Sequence, residues 1–179
     1  MPGSHLEDPV RQIQSAVSSG RAGIDNSMEW IALAWSGVVA TALAAAYFWI
    51  ARSFHWTTFS PAVQLGCLVI PHPRRPITES VGMALLFLIG SSAGPRVYQG
   101  LLGLWGGPAW LGGLVFGGLI GVGSAAALPL LGLISACIRT GEMAPPGSFG
   151  LRWGRPTPVV VVTGNMVYGT VVAAILAGF

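Results

Sequence analysis

The sequence predicts an all-α integral membrane protein: four transmembrane helices in a glycine-packed bundle, with a polar N-terminal arm and a short interfacial helix after the first span. Three observations lead there. Only 8% of the residues are charged while 53% are hydrophobic, against roughly 25% charged in a soluble domain, so a water-soluble surface cannot be assembled. The charges gather between long uncharged runs, the pattern of lipid-facing segments alternating with wet loops. Small residues recur within those runs at four-residue intervals, a spacing that lets helix backbones approach in lipid.

Residues 1–29 are polar and carry Glu7, Asp8, Asp25 and Glu29. They are too long and too acidic for the n-region of a signal peptide, so no removed leader is expected. A weakly amphipathic stretch from Pro9 to Val17 runs into Ser18-Ser19-Gly20, where helix is expected to stop, and the segment reads as a surface arm. Residues 30–179 form the membrane domain. The first span covers 30–51 without a charge, about 33 Å of helix, enough to cross the hydrocarbon core. Trp30 and Trp35 mark one end, Trp49 and Trp56 the other, as an aromatic belt requires.

Between Arg52 and Ile77 the chain is mixed. Ser60-Pro61 has the N-cap and N1 chemistry that opens a helix, and Pro71, Pro73 and Pro76 forbid its continuation past Val69. A short helix at the interface is the reading. From Val97 to Ile138 no residue is charged, about 63 Å if helical and twice the hydrocarbon thickness, so the run must turn back. Trp105-Gly106-Gly107-Pro108 supplies the turn. The spans on either side are 78–104 and 109–138; Pro95 and Pro129 each remove a helical hydrogen bond. A polar loop follows, and the fourth span is 158–179.

The third span holds Gly113, Gly117, Gly121 and Ala125 at four-residue spacing. Gly37, Thr41 and Ala45 in the first span and Gly169, Ala173 and Ala177 in the fourth are placed to face it. This stripe packs another helix, or opens a groove for a lipid, quinone, carotenoid or partner helix. The polar candidates within the membrane are Arg96, Asn165, Ser91 and Ser92. Arg96 comes at the far end of its span, where snorkelling to lipid phosphate accounts for it and an anion-binding or gating role is the sharper alternative. Glu79 at the opposite end is too distant to pair with it, and Asn165 is expected to hydrogen-bond across helices.

Composition excludes more than it assigns. The nine basic residues are all arginine, with a net charge of +3, and no arginine stripe tracks phosphates, so no nucleic-acid partner is expected. Gly90-Ser91-Ser92-Ala93-Gly94 matches the G-x-S-x-G pattern formally, but it lies in a hydrophobic helix instead of a strand-to-helix elbow. The histidines are His5, His55 and His72, all outside the spans, so no catalytic base, haem ligand or chlorophyll ligand is available. His55, Cys67 and His72 are ligand types whose spacing matches no zinc module, and no metal site or resident cofactor is expected. Cys67 and Cys137 lie far apart and outside any C-x-x-C pair, so no disulfide framework is expected.

With four spans, the loops 52–77 and 139–157 share a side and hold six of the nine arginines. Positive-inside counting places them in the cytoplasm and both termini in the periplasm. Gly37-Val38-Val39-Ala40-Thr41, Ser60-Pro61, Tyr98, Gly100, Phe116-Gly117 and Asn165-Met166-Val167-Tyr168-Gly169 together resemble a broad group of small, uncharacterised four-helix membrane proteins of bacteria with GC-rich genomes. The resemblance covers about residues 30–178. Members of that group often carry histidine near the position of Arg96 or of Asn165, and this chain does not. The resemblance implies a fold and no activity.

The functional expectation is a non-catalytic structural or accessory subunit of a larger bacterial membrane complex, respiratory or photosynthetic complexes being the obvious hosts. Its partners are then membrane lipids and other membrane subunits. A small transporter or channel for a weakly polar solute, and a lipid-, quinone- or pigment-binding protein, are the alternatives.

Overall fold

The computed structural model describes residues 9–70 and 75–178, with side chains described for 29–70 and 76–178. The elements are α1 (Pro9–Ser53), α2 (Pro61–Val69), α3 (Arg75–Leu102), α4 (Ala109–Ala127), a 3-10 turn (Leu128–Leu130), α5 (Leu131–Ile134), α6 (Ala136–Arg139), a second 3-10 segment (Ser148–Trp153) and α7 (Thr157–Leu176). No strand occurs among the described residues. Four helices are long and apolar enough to cross a membrane, over Glu29–Ser53, Pro76–Leu102, Ala109–Ile134 and Thr157–Leu176. The chain is a multi-pass membrane protein.

The prolines act differently by position. Pro95 sits inside α3, which continues through it to Leu102. Pro129 ends regular helix instead: α4 closes at Ala127, Leu128 N–H turns to the Ala125 carbonyl, and the backbone tightens into the 3-10 turn. A second break follows at Ser135, whose ψ of 121° is extended and separates α5 from α6. Ser60 caps α2 as its chemistry requires, its hydroxyl accepting from Val63 N–H at 3.4 Å with Pro61 in the first turn.

Two expectations fail here. Ser18-Ser19-Gly20 does not end a helix: α1 is a single helix of 45 residues. One glycine and two serines cost about 1–2 kcal/mol in a helix interior, which uninterrupted hydrogen bonding on both sides can absorb. Cys67 and Cys137 form a disulfide with a Cα–Cα separation of 5.6 Å, joining α2 to α6. Their distance in sequence, 70 residues, is no obstacle, because both lie at one end of a four-helix bundle and meet through space.

That end is the most side-chain-built part of the molecule. Phe48 packs edge-on to Phe59, and Phe59 stacks on Trp153, each at 5.7 Å between ring centroids. Trp153 donates its indole N–H to the Ala144 carbonyl at 2.9 Å. The Thr57 and Thr157 hydroxyls are hydrogen-bonded at 2.7 Å, and Thr58 N–H donates to the Trp153 carbonyl at 2.8 Å. Gly154 passes over Trp56 with φ 131°, where a Cβ would lie 2.6 Å from the Trp56 carbonyl oxygen. A side chain there would meet both strain and backbone.

Candidate functional site

α7 is the hub of the bundle, touching α4 on one side and α1 and α3 on the other. Its two sides are built from different materials. On the α4 side, Gly112, Gly113, Gly117, Gly121 and Ala125 are buried. A Cβ on Gly117 would lie 2.5 Å from the Asn165 carbonyl oxygen and 2.8 Å from Met166 Cα. One on Gly121 would lie 2.7 Å from Val162 Cα, and one on Gly113 would press on the Gly169 carbonyl and come within 2.6 Å of the Ala173 Cβ. Of the small residues placed on the third and fourth spans, Gly113, Gly117, Gly121, Gly169 and Ala173 therefore meet one another's helices. The faces of α4 and α7 approach backbone to backbone.

The first-span residues do not join them. Gly37 and Thr41 pack against α3: a Cβ on Gly37 would collide with the Gly90 carbonyl and come within 2.6 Å of Pro95, and a Cβ on Gly90 would collide with Thr41 Oγ1. A small-residue stripe says that a neighbour can come close. It does not say which neighbour.

At the α1–α3–α7 junction the filling is polar and aromatic. Tyr168 donates its hydroxyl to the Gly90 carbonyl at 2.5 Å and lies over Gly94. Tyr98, 2% exposed, sits against Gly169 with its ring centroid 5.7 Å from that of Tyr168. Thr41 Oγ1 and the Tyr98 hydroxyl are buried there without a hydrogen-bond partner. Thr41, Gly90 and Tyr168 each lie near the middle of their spans, so this junction is at mid-bundle.

The four polar candidates do not come together. Ser91 and Ser92 both donate to the Leu88 carbonyl of their own helix, at 3.4 and 2.5 Å. Asn165 donates to the Val161 carbonyl at 2.9 Å, a bond within α7 and not the interhelical one expected. A carbonyl four residues back is always in reach, whereas a partner on α4 requires a residue with an acceptor in register, and α4 presents glycine. Arg96 is exposed near the end of α3, its guanidinium 4.2 Å above the Trp30 ring, a cation–π contact. One turn on, Gln99 donates to Glu29 at 2.7 Å, so these pairs stitch the ends of two spans. At the other end Glu79 pairs with Arg52 at 3.5 Å.

Beside Ala125 the α4–α7 seam opens into a largely apolar groove of about 280 Å³, lined by Val122, Phe149, Pro158, Val159 and Val162 with Ala125 and Thr163. It contains no ionisable side chain among these residues. Among the described residues no group of three metal-ligating side chains converges. Cys67 has its sulfur in the disulfide and so cannot ligate as a thiolate, and His72 lies outside the described residues.

The sequence signals for two features were present but faint. Cysteines in loops that share a side of the membrane can pair whatever their spacing. Tyrosines facing glycines on adjacent spans mark where a ring fills the space that a missing side chain leaves. Compared with known proteins, the chain matches no protein-family model, no curated protein and no solved structure.

Proposed function

We propose that this chain is a non-catalytic accessory subunit of a larger membrane complex, in a bacterial inner membrane, which meets its partner through the N-terminal part of α1. One observation carries the reading. α1 runs unbroken from Pro9 to Ser53, while the segment apolar enough to span starts at Glu29. Pro9 to Met28 is then about 30 Å of helix beyond the span. A lone helix of that length is marginal in water, and Val10, Ile13, Val17 and Ile24 recur on it at spacings that fall on one face. Such a face gains most by lying against another protein.

The small residues of the α4–α7 seam are used inside the chain, which leaves the N-terminal part of α1 as the docking surface of this reading. The groove beside Ala125 favours a second reading, in which an acyl or polyprenyl chain occupies it and the protein carries a lipid, quinone or pigment. Neither needs a catalytic residue.

Gentle native purification followed by mass spectrometry separates them. The accessory reading expects fixed-ratio partner subunits with the full chain, lost when residues 2–28 are deleted while the truncated chain stays in the membrane fraction. Migration alone, with or without the deletion, ends that reading; a stoichiometric extracted lipid or pigment would then favour the second.

A further inference from the structure

We infer that the end of the bundle carrying the Cys67–Cys137 disulfide faces the oxidising, extracytoplasmic side of the membrane. The N-terminal part of α1, the α3–α4 turn and the end of α7 then face the cytoplasm. This reverses the orientation that the total arginine count suggests.

The disulfide is the first ground. It joins α2, from the segment between the first two spans, to α6, from the segment after the third. Both cysteines are only 1% exposed, so the bond is part of the packing between these elements. Disulfides of this structural kind form and persist in oxidising compartments and are rare where glutathione and thioredoxin keep thiols reduced. In forming it, the two thiols release two protons and two electrons and one S–S bond is made. The electrons pass to the disulfide of an extracytoplasmic thiol oxidant by dithiol–disulfide exchange, and that oxidant leaves as a dithiol.

The second ground is the distribution of arginine around the first span. Orientation depends on basic residues within about 15–20 positions of a span, and the first span usually dominates. Arg11 and Arg21 fall within that window before Glu29. At its other end only Arg52 does, in the last turn of the span, and Arg52 is paired with Glu79 at 3.5 Å. Within that window the basic residues before the first span outnumber those at its other end by two to one, Arg74 and Arg75 falling just beyond it beside the second span. Arg74, Arg75, Arg139, Arg152 and Arg155 pull the other way, but they flank later spans, and charge bias is a tendency whereas a reducing cytosol acts on every thiol pair it reaches.

The inference is independent of the accessory-subunit reading, and it puts the docking helix of that reading in the cytoplasm. Its test uses the full chain in bacterial cells with green fluorescent protein or alkaline phosphatase fused after Phe179. Alongside, acid-quenched cells carrying the unfused chain are treated with a maleimide of added mass, before and after reduction. The expected result is bright fluorescence, no phosphatase activity, no mass tag before reduction and two after it. Cys67→Ser should take one tag without reduction, because Cys137 then has lost its partner. Active phosphatase with a dark fluorescent fusion overturns the orientation directly. Two tags without reduction overturn it by removing the disulfide on which it stands.

Discussion

α4 and α1 both pack on small residues, yet they meet their neighbours differently. Across the α4–α7 seam, a Cβ on Gly117 or Gly121 would meet backbone: Asn165 O and Met166 Cα in one case, Val162 Cα in the other. At the α1–α3–α7 junction Gly37 of α1 also meets backbone, the Gly90 carbonyl and Ser91 Cα, but Gly90 and Gly94 of α3 face the ends of side chains, the Thr41 hydroxyl and the Tyr168 hydroxyl. A side chain can change rotamer and a backbone can move only with its helix. Two glycine contacts that look alike in sequence therefore differ in what they tolerate.

The largest effect should come from the seam. Gly117→Ala is expected to destabilise the bundle by about 1–3 kcal/mol, the range for overpacking a filled core, and Gly117→Leu by more, since separating α4 from α7 also opens the Gly113 and Gly121 contacts. Thermal unfolding in detergent reads this as a lowered midpoint for Ala and loss of folded protein for Leu. A Gly117→Leu protein that unfolds at the wild-type temperature would show that the seam does not hold the bundle, and the comparison would collapse.

A smaller effect is expected at the junction. Tyr168→Phe removes the hydroxyl that donates to the Gly90 carbonyl. The lost hydrogen bond contributes about 0.5–1.5 kcal/mol. The same unfolding assay should then place Tyr168→Phe between wild type and Gly117→Ala. If Tyr168→Phe were the more damaging, side-chain polarity and not backbone approach would be the stronger tie in this bundle.

How far the sequence reveals this contrast depends on the kind of information each feature needs. The spans are legible because hydrocarbon thickness and helix rise are fixed lengths: the uncharged run from Val97 to Ile138 had to turn, and α3 ends at Leu102 just before Trp105-Gly106-Gly107-Pro108 while α4 begins just after. Ser60-Pro61 is legible because capping is local. Pairing is not local. Gly37 and Thr41 announce a surface that can approach closely, and only the assembled bundle assigns it to α3 instead of α4. Cys67 and Cys137 were open to the same topological reasoning that groups their loops on one side, but spacing rules look for neighbours in sequence. Asn165 departs from expectation for the opposite reason: the local carbonyl of Val161 outcompetes a remote partner.

The smallest effect is expected within α4 itself, at Gly123. It belongs to the same glycine-rich helix as Gly117 and Gly121, but a Cβ there would meet nothing within 4 Å. Replacing it by alanine adds no contact and removes none. What changes is the backbone freedom of the unfolded chain, and glycine to alanine in an unstrained helix position stabilises by about 0.5–1 kcal/mol. Gly123→Ala should thus unfold at or slightly above the wild-type temperature. The sign is what matters, because Gly117→Ala and Gly123→Ala are the same chemical change on one helix, six residues apart. Opposite signs would assign the cost to the facing backbone of α7. Equal losses would mean that glycine serves the internal flexibility of α4 and not its approach to α7.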